Sequence, residues 1–282
     1  MRRPSVFLAC GAIALLAAGC GSGGGGLSVT VQQAHVFELA GFKPAGPIEP
    51  GKPVRISFVI RQPNGQPLTS YKRGPGPHTG IHLILVRSDL ASIIHRHPPV
   101  AADGTTSEVV TFPAAGRYRL VVDVYPKLAA TLPNFQLFRW LQVGKPAAPK
   151  PLPPFRSTET VDGFRVSLPA RPNLRAIESA LMSVKVTAPN GKPAPFKPWF
   201  GALAHAIFFH AGNLDYFHTH VCAPGASGCT SILGGAKVTG TSSTPGHLTV
   251  GVLLPESGTW RLFLQFRSEG RILTAPFTLK VR

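Results

Sequence analysis

The chain has 282 residues, 15% of them charged, with 30 glycines, 29 prolines and a formal net charge of +17. The length is enough for two ordinary domains, each able to bury its own core. The turn-rich, charge-poor composition excludes long solvated helices and favours short strands joined by many turns.

The predicted elements begin with an export signal. Arg2 and Arg3 precede an apolar stretch running from Val6 to Ala18, too short for a transmembrane helix. It closes in Leu16-Ala17-Ala18-Gly19-Cys20, which resembles the lipobox of bacterial lipoproteins. That resemblance implies removal of residues 1–19, a lipid on Cys20 and a place on the extracytoplasmic face of the cell membrane; a plain secretory cut near Ala18 is the alternative. Loss of Arg2 and Arg3 lowers the formal charge from +17 to +15. A basic surface favours anionic headgroups or acidic wall polymers. Nucleic acid is excluded by the export signal and by basic residues that are scattered, not clustered. Residues 20–26, glycine-rich, read as a flexible tether.

Residues 27–144 and 155–282 read as two copies of one module. Pro63-Asn64-Gly65-Gln66-Pro67 recurs as Pro189-Asn190-Gly191-Lys192-Pro193, and Asn-Gly is a strong hairpin-turn signal. Phe112-Pro-Ala-Ala-Gly116-Arg-Tyr118-Arg-Leu120 recurs as Leu254-Pro-Glu-Ser-Gly258-Thr-Trp260-Arg-Leu262. Strand-like runs lie at 54–60, 107–112 and 118–124, and again at 184–187, 247–254 and 260–266. The expected fold is all-β: two tandem antiparallel β-sandwich modules, immunoglobulin-like or cupredoxin-like. The proline-dense residues 145–154 read as a stiff extended linker. Of the four cysteines, Cys10 leaves with the signal. Cys222 and Cys229 are expected to form a disulfide closing a small loop, with thiolate ligation of copper or zinc as the alternative.

The most informative feature is a histidine constellation present in both copies. His82, His95 and His97 have the same spacing as His205, His218 and His220: 13 positions from first to second and 15 from first to third. A turn at Gly212-Asn213 places His205 opposite His220 with His218 diagonal to it, and a turn at Asp89-Leu90 does the same for His82, His97 and His95. Each set then lies on one face of one hairpin, within reach of an ion at about 2 Å per bond. Neutral imidazoles suit Cu(II) or Zn(II). The lone mature methionine, Met182, argues against a methionine-rich Cu(I) site, and no matched cysteine supplies a blue-copper ligand. His78 and His210 read as peripheral, and His35 and His247 as structural. Histidines that are merely exposed, or bonded to carboxylates, are the competing account.

Gly80, His82, Leu90, His95, His97 and Pro98, with His205, Leu214, His218 and His220, resemble a group of bacterial exported proteins of unknown or heavy-metal-binding function. The resemblance extends to YtkA-like and CopC-like copper-associated β-sandwiches. The second copy departs from the pattern, with Leu203 where Gly80 aligns and Val221 after the last histidine. The resemblance implies metal handling. The expected function is a membrane-tethered extracytoplasmic metal-binding protein, for copper or zinc, with one three-histidine site per module. Its partners are the membrane through the anchor, the ion, and in one variant another envelope protein. The alternatives are a cell-envelope module that binds protein or glycan, with structural histidines, and a metalloenzyme. Enzyme status is disfavoured because no carboxylate recurs beside both clusters: Asp89 aligns with Gly212, and Asp215 with Ser92.

Overall fold

The computed structural model describes residues 36–72, 80–128, 134–226, 232–233 and 236–282. The signal, the tether, Cys10, Cys20, Cys229, His35 and His78 lie outside these residues. Among the described residues every regular element is a strand.

Module 1 contains β1 (Glu38–Lys43), β2 (Pro53–Arg61), β3 (Ile81–Arg87), β4 (Ile93–Arg96), β5 (Thr105–Thr111), β6 (Gly116–Val124) and β7 (Phe135–Val143). They form a three-stranded sheet, β1-β2-β5, facing a four-stranded sheet, β4-β3-β6-β7. Module 2 contains β8 (Thr158–Val161), β9 (Phe164–Ser167), β10 (Ala180–Thr187), β11 (Ala204–His210), β12 (Tyr216–Cys222), β13 (Ile232–Leu233), β14 (Ala236–Lys237), β15 (Gly240–Thr241), β16 (His247–Val252), β17 (Gly258–Ser268) and β18 (Arg271–Val281). Its order β12-β11-β17-β18 repeats β4-β3-β6-β7, and β9-β10-β16 repeats β1-β2-β5. The short β15 pairs with both β12 and β16, closing one edge so that the two sheets become a single nine-stranded one. Gly240 and Gly251 permit that closure, because a Cβ at either would collide with the carbonyl of Thr249 or Val238.

The duplicated sequence motif has a structural reason. Tyr118, near the start of β6, donates its hydroxyl to the Ala114 carbonyl at 3.0 Å. Trp260, near the start of β17, donates its indole N–H to the Glu256 carbonyl at 3.1 Å. This is the corner bond of immunoglobulin-like sandwiches, here made by tyrosine in one copy and tryptophan in the other. The immunoglobulin-like alternative is therefore the one adopted. The two Asn-Gly segments are tight turns, but each closes only a single bridge, Arg61 to Pro67 and Thr187 to Pro193. The expected hairpins do not form there because β2 and β10 pair with β1 and β9 on one side and with β5 and β16 on the other.

The central strands β3 and β11 are buried almost throughout, on both faces. Alternation along a strand sends successive side chains to opposite sides. Leu83 and Leu85 enter the core of module 1, and Ala204, Ala206 and Phe208 that of module 2. The other parity, Ile84 and Val86 from β3 and Ile207 and Phe209 from β11, meets in a third core with Leu90, Val121, Leu214 and Phe263. The modules thus pack sheet on sheet. The linker joins this seam, with Leu152 against the shared core and the Lys150 amide on Asp89 Oδ2 at 2.8 Å.

Candidate metal centre

His82 shares its parity with Ile84 and Val86, and His205 shares its parity with Ile207 and Phe209, so both histidines face the seam. β11 and β12 pair in the expected register, with His205 opposite His220. β3 and β4 do likewise, with Leu83 opposite Arg96. The connections differ from the two-residue turns expected. Each is a four-residue loop closed by a backbone bond, from Arg87 N to Ser92 O in one and from His210 N to Asp215 O in the other. Leu90 and Leu214 adopt positive φ, 59° in both, and each leucine is buried in the seam. Backbone strain is tolerated where packing fixes it.

The six predicted histidines, three from each module, lie side by side, with the His82 and His205 rings 6.4 Å apart. All six are buried and come together in one chamber at the polar end of the seam. Three groups have ligand nitrogens within 4.8 Å of one another: His82, His95 and His97; His82, His218 and His220; and His95, His205 and His218. Two of the three draw on both modules. Sheet-on-sheet packing explains this, since each hairpin turns its histidine face toward the other module instead of its own core. His210 lies apart, bonded to Asn213 at 2.9 Å and packed on Trp260. His247 is exposed. Cys222 is disulfide-bonded, and its expected partner Cys229 lies outside the described residues.

Two further residues frame the chamber. Asp123 on β6 pairs with His82 in register, and Gln265 on β17 pairs with His205. Asp123 Oδ2 lies 3.4 Å from His82 Nδ1 and 3.7 Å from His218 Nδ1 across the seam. It also accepts from the Tyr125 and Tyr216 hydroxyls at 3.3 Å, while Oδ1 accepts from Gln136 Nε2 at 2.9 Å. Gln265 Oε1 accepts from His95 Nδ1 at 2.9 Å, again across the seam. His205 Nε2 donates to the Trp199 carbonyl at 3.0 Å, and Phe200 stacks on His97 at 3.8 Å. Sequence reasoning missed Asp123 and Gln265. Their signal was a polar residue at the same place in two duplicated apolar strands, Leu120-Val-Val-Asp123-Val124 and Leu262-Phe-Leu-Gln265-Phe266.

Burial lowers the pKa of His95 well below its ordinary value, and the charges of His205, His218 and His82 lower it further. Burial alone would raise the Asp123 carboxyl. Hydrogen bonds and charge from His218 and His82 outweigh it and hold the carboxyl well below the usual range. Burial and the nearby carboxylate raise both tyrosines, so they stay protonated as donors. An open cavity of about 480 Å³ leads to Asp123, Tyr216 and His218 between apolar walls that include Leu253, Leu254 and Ile177.

The sequence matches the family described as Domain of unknown function (DUF8832) over residues 37–137 and 159–282. No curated protein matches it. Among solved structures, invasin, a bacterial integrin-binding protein, is 11% identical with a TM-score of 0.25, covering 87% of this chain and 38% of that one. Domains 5–6 of the S-layer protein SbsC are 11% identical with a TM-score of 0.24, covering 87% and 97%. A tetra-tandem repeat of a large adhesion protein is 10% identical with a TM-score of 0.28, covering 87% and 49%. The chain thus spans well under two thirds of the invasin and adhesion chains. Likenesses this distant carry no functional argument.

Proposed function

We propose that this chain, which belongs to the DUF8832 family of unknown function, is an exported, membrane-tethered transition-metal-binding protein. It would sequester or deliver its ion, copper first and zinc second, in the chamber between its modules. The observation that supports this reading is the way the rings are anchored. His205 donates through Nε2, which leaves its lone pair on Nδ1, 3.2 Å from His218 Nε2. His95 donates through Nδ1, which leaves its lone pair on Nε2, 3.1 Å from His97 Nε2. With the proton fixed on one nitrogen by its partner, the other acts as a base. At that distance each basic nitrogen accepts an N–H from the facing ring or shares a cation with it. The 3.1 Å between the His95 and His97 nitrogens is also near the roughly 3.3 Å edge of a tetrahedron with bonds of about 2 Å. Neutral imidazoles in such number favour copper or zinc over hard cations.

A second reading has an observation of its own. The His95–Gln265 bond and the contacts of Asp123 cross the seam, so the polar cluster would weld the modules even with protons in place of metal. That suits a cell-envelope interaction module with structural histidines. Titrating chelator-treated protein with Cu(II) and Zn(II), by calorimetry and by thermal melting, separates the two. Binding that stabilises the fold is expected, by about 2.7 kcal/mol at a hundredfold excess over Kd. Wild-type protein that takes up neither ion would end the metal reading and leave the histidines structural.

A further inference from the structure

The chamber has two poles. The modules are related by an approximate two-fold in which His82 corresponds to His205, His95 to His218, His97 to His220, and Asp123 to Gln265. At one pole His82 and His218, from different modules, share Asp123. At the other, His95 bonds Gln265 while His205 lies opposite Gln265 in register. Each pole therefore combines the first histidine of one module with a histidine from the His-x-His of the other.

We infer that the chamber holds two ions, each ligated across the seam: His82, His218 and His220 at the Asp123 pole, and His205, His95 and His97 at the Gln265 pole. This rests on the metal reading above. The first set has ring centroids 4.7, 5.7 and 4.7 Å apart. The second has 5.0, 5.7 and 4.8 Å, as the two-fold requires, though only the first is among the sets whose ligand nitrogens all lie within 4.8 Å of one another. Ring spacing alone does not choose this assignment. The within-module sets are equally compact, at 5.6, 4.2 and 4.8 Å and at 5.4, 4.8 and 4.7 Å. The anchors choose it, because a ligating imidazole is aimed by the partner of its other nitrogen. Asp123 aims His82 and His218 together, Gln265 aims His95, and the Trp199 carbonyl aims His205. One ion takes three or four imidazoles, so a single ion would leave at least two buried rings without a role. The poles also differ: one has a carboxylate and an open cavity, the other an amide, with Trp199 packed on His95 and His205 and Phe200 on His97. The Asp123 pole should load a dication first.

The test is the stoichiometry of Zn(II) and Cu(II) bound to full-length protein after dialysis, with folding checked by circular dichroism. Wild type should hold two equivalents. His82→Ala/His220→Ala removes ligands from one crossed site and should hold one. His82→Ala/His97→Ala damages both crossed sites and should hold none. The opposite pattern in the two double variants would overturn the crossed assignment. One equivalent in wild type would overturn the pair while sparing the metal reading; none would end both. Should a variant fail to fold, the wild type still decides the pair. The sets approach to 3.2 Å at His205 and His218, so two Cu(II) ions should give a coupled, broadened EPR spectrum. Two independent mononuclear signals would overturn it.

Discussion

Asp123 should be the most costly polar residue of the seam to remove. Asp123→Ala deprives Gln136 Nε2, the Tyr125 and Tyr216 hydroxyls and His82 Nδ1 of their acceptor, at 2.9, 3.3, 3.3 and 3.4 Å. A buried donor left unmade costs about 1–3 kcal/mol. Water entering from the adjoining cavity recovers part of that. The net loss should fall near the roughly 3–5 kcal/mol typical of breaking a buried charged pair. Gln265→Ala, at the equivalent position, loses one bond to His95 and one to Thr274, both at 2.9 Å. It should cost about 1–2 kcal/mol. Urea unfolding of both variants at pH 7 in the presence of a chelator, analysed by linear extrapolation, measures the difference without a metal contribution. Equal losses within about 0.5 kcal/mol, the usual limit of additivity, would refute the view that the seam is organised around Asp123.

Phe263→Ala opens a hole in the seam core and should cost about 3–5 kcal/mol, splitting one thermal transition into two as the modules uncouple; a small shift of a single transition in calorimetry would contradict it. Tyr118→Phe removes only the corner bond to Ala114 and should cost about 1 kcal/mol in the same denaturation assay, with no change in metal uptake. Cys20→Ser should move the protein from the membrane fraction to the soluble fraction of a producing cell; a lipid-free wild type by mass spectrometry would refute the anchor.

The sheets, the module repeat and the histidine register were legible because they rest on local chemistry. Side-chain alternation puts His82 on the face of Ile84 whatever the modules do, and a symmetric turn fixes His205 opposite His220. The docking of the modules was less visible. Its sign was the run Ile81-His82-Leu83-Ile84-Leu85-Val86, apolar at both parities. A sandwich strand with one face in water alternates, and a strand apolar on both faces needs a second partner. That partner could have been another chain; nothing local specifies that it is the second copy. Asp123 was hidden for the same reason, since a lone acid in an apolar strand gains its meaning from His218, 95 positions away in the other module.

Duplication followed by docking explains why the two poles share a geometry yet differ in charge. A two-fold seam brings each module's histidine face against a copy of itself, so a residue at the centre meets both copies of the hairpin. A carboxylate at both Asp123 and Gln265 would put two buried negative charges beside the same six rings, and without two bound dications that arrangement would be strongly unfavourable. One carboxylate and one amide each hold a histidine, His82 and His95, and halve the buried charge. The amide makes the same kind of bond to His95 that the carboxylate makes to His82. The exchange of Asp for Gln therefore changes the buried charge beside the histidines at one pole. Gln265→Glu is the sharpest probe of that balance. It should destabilise metal-free protein, and bound Zn(II) should reverse the loss. A variant equally stable with and without the ion would show that the charge at this position has no link to a metal.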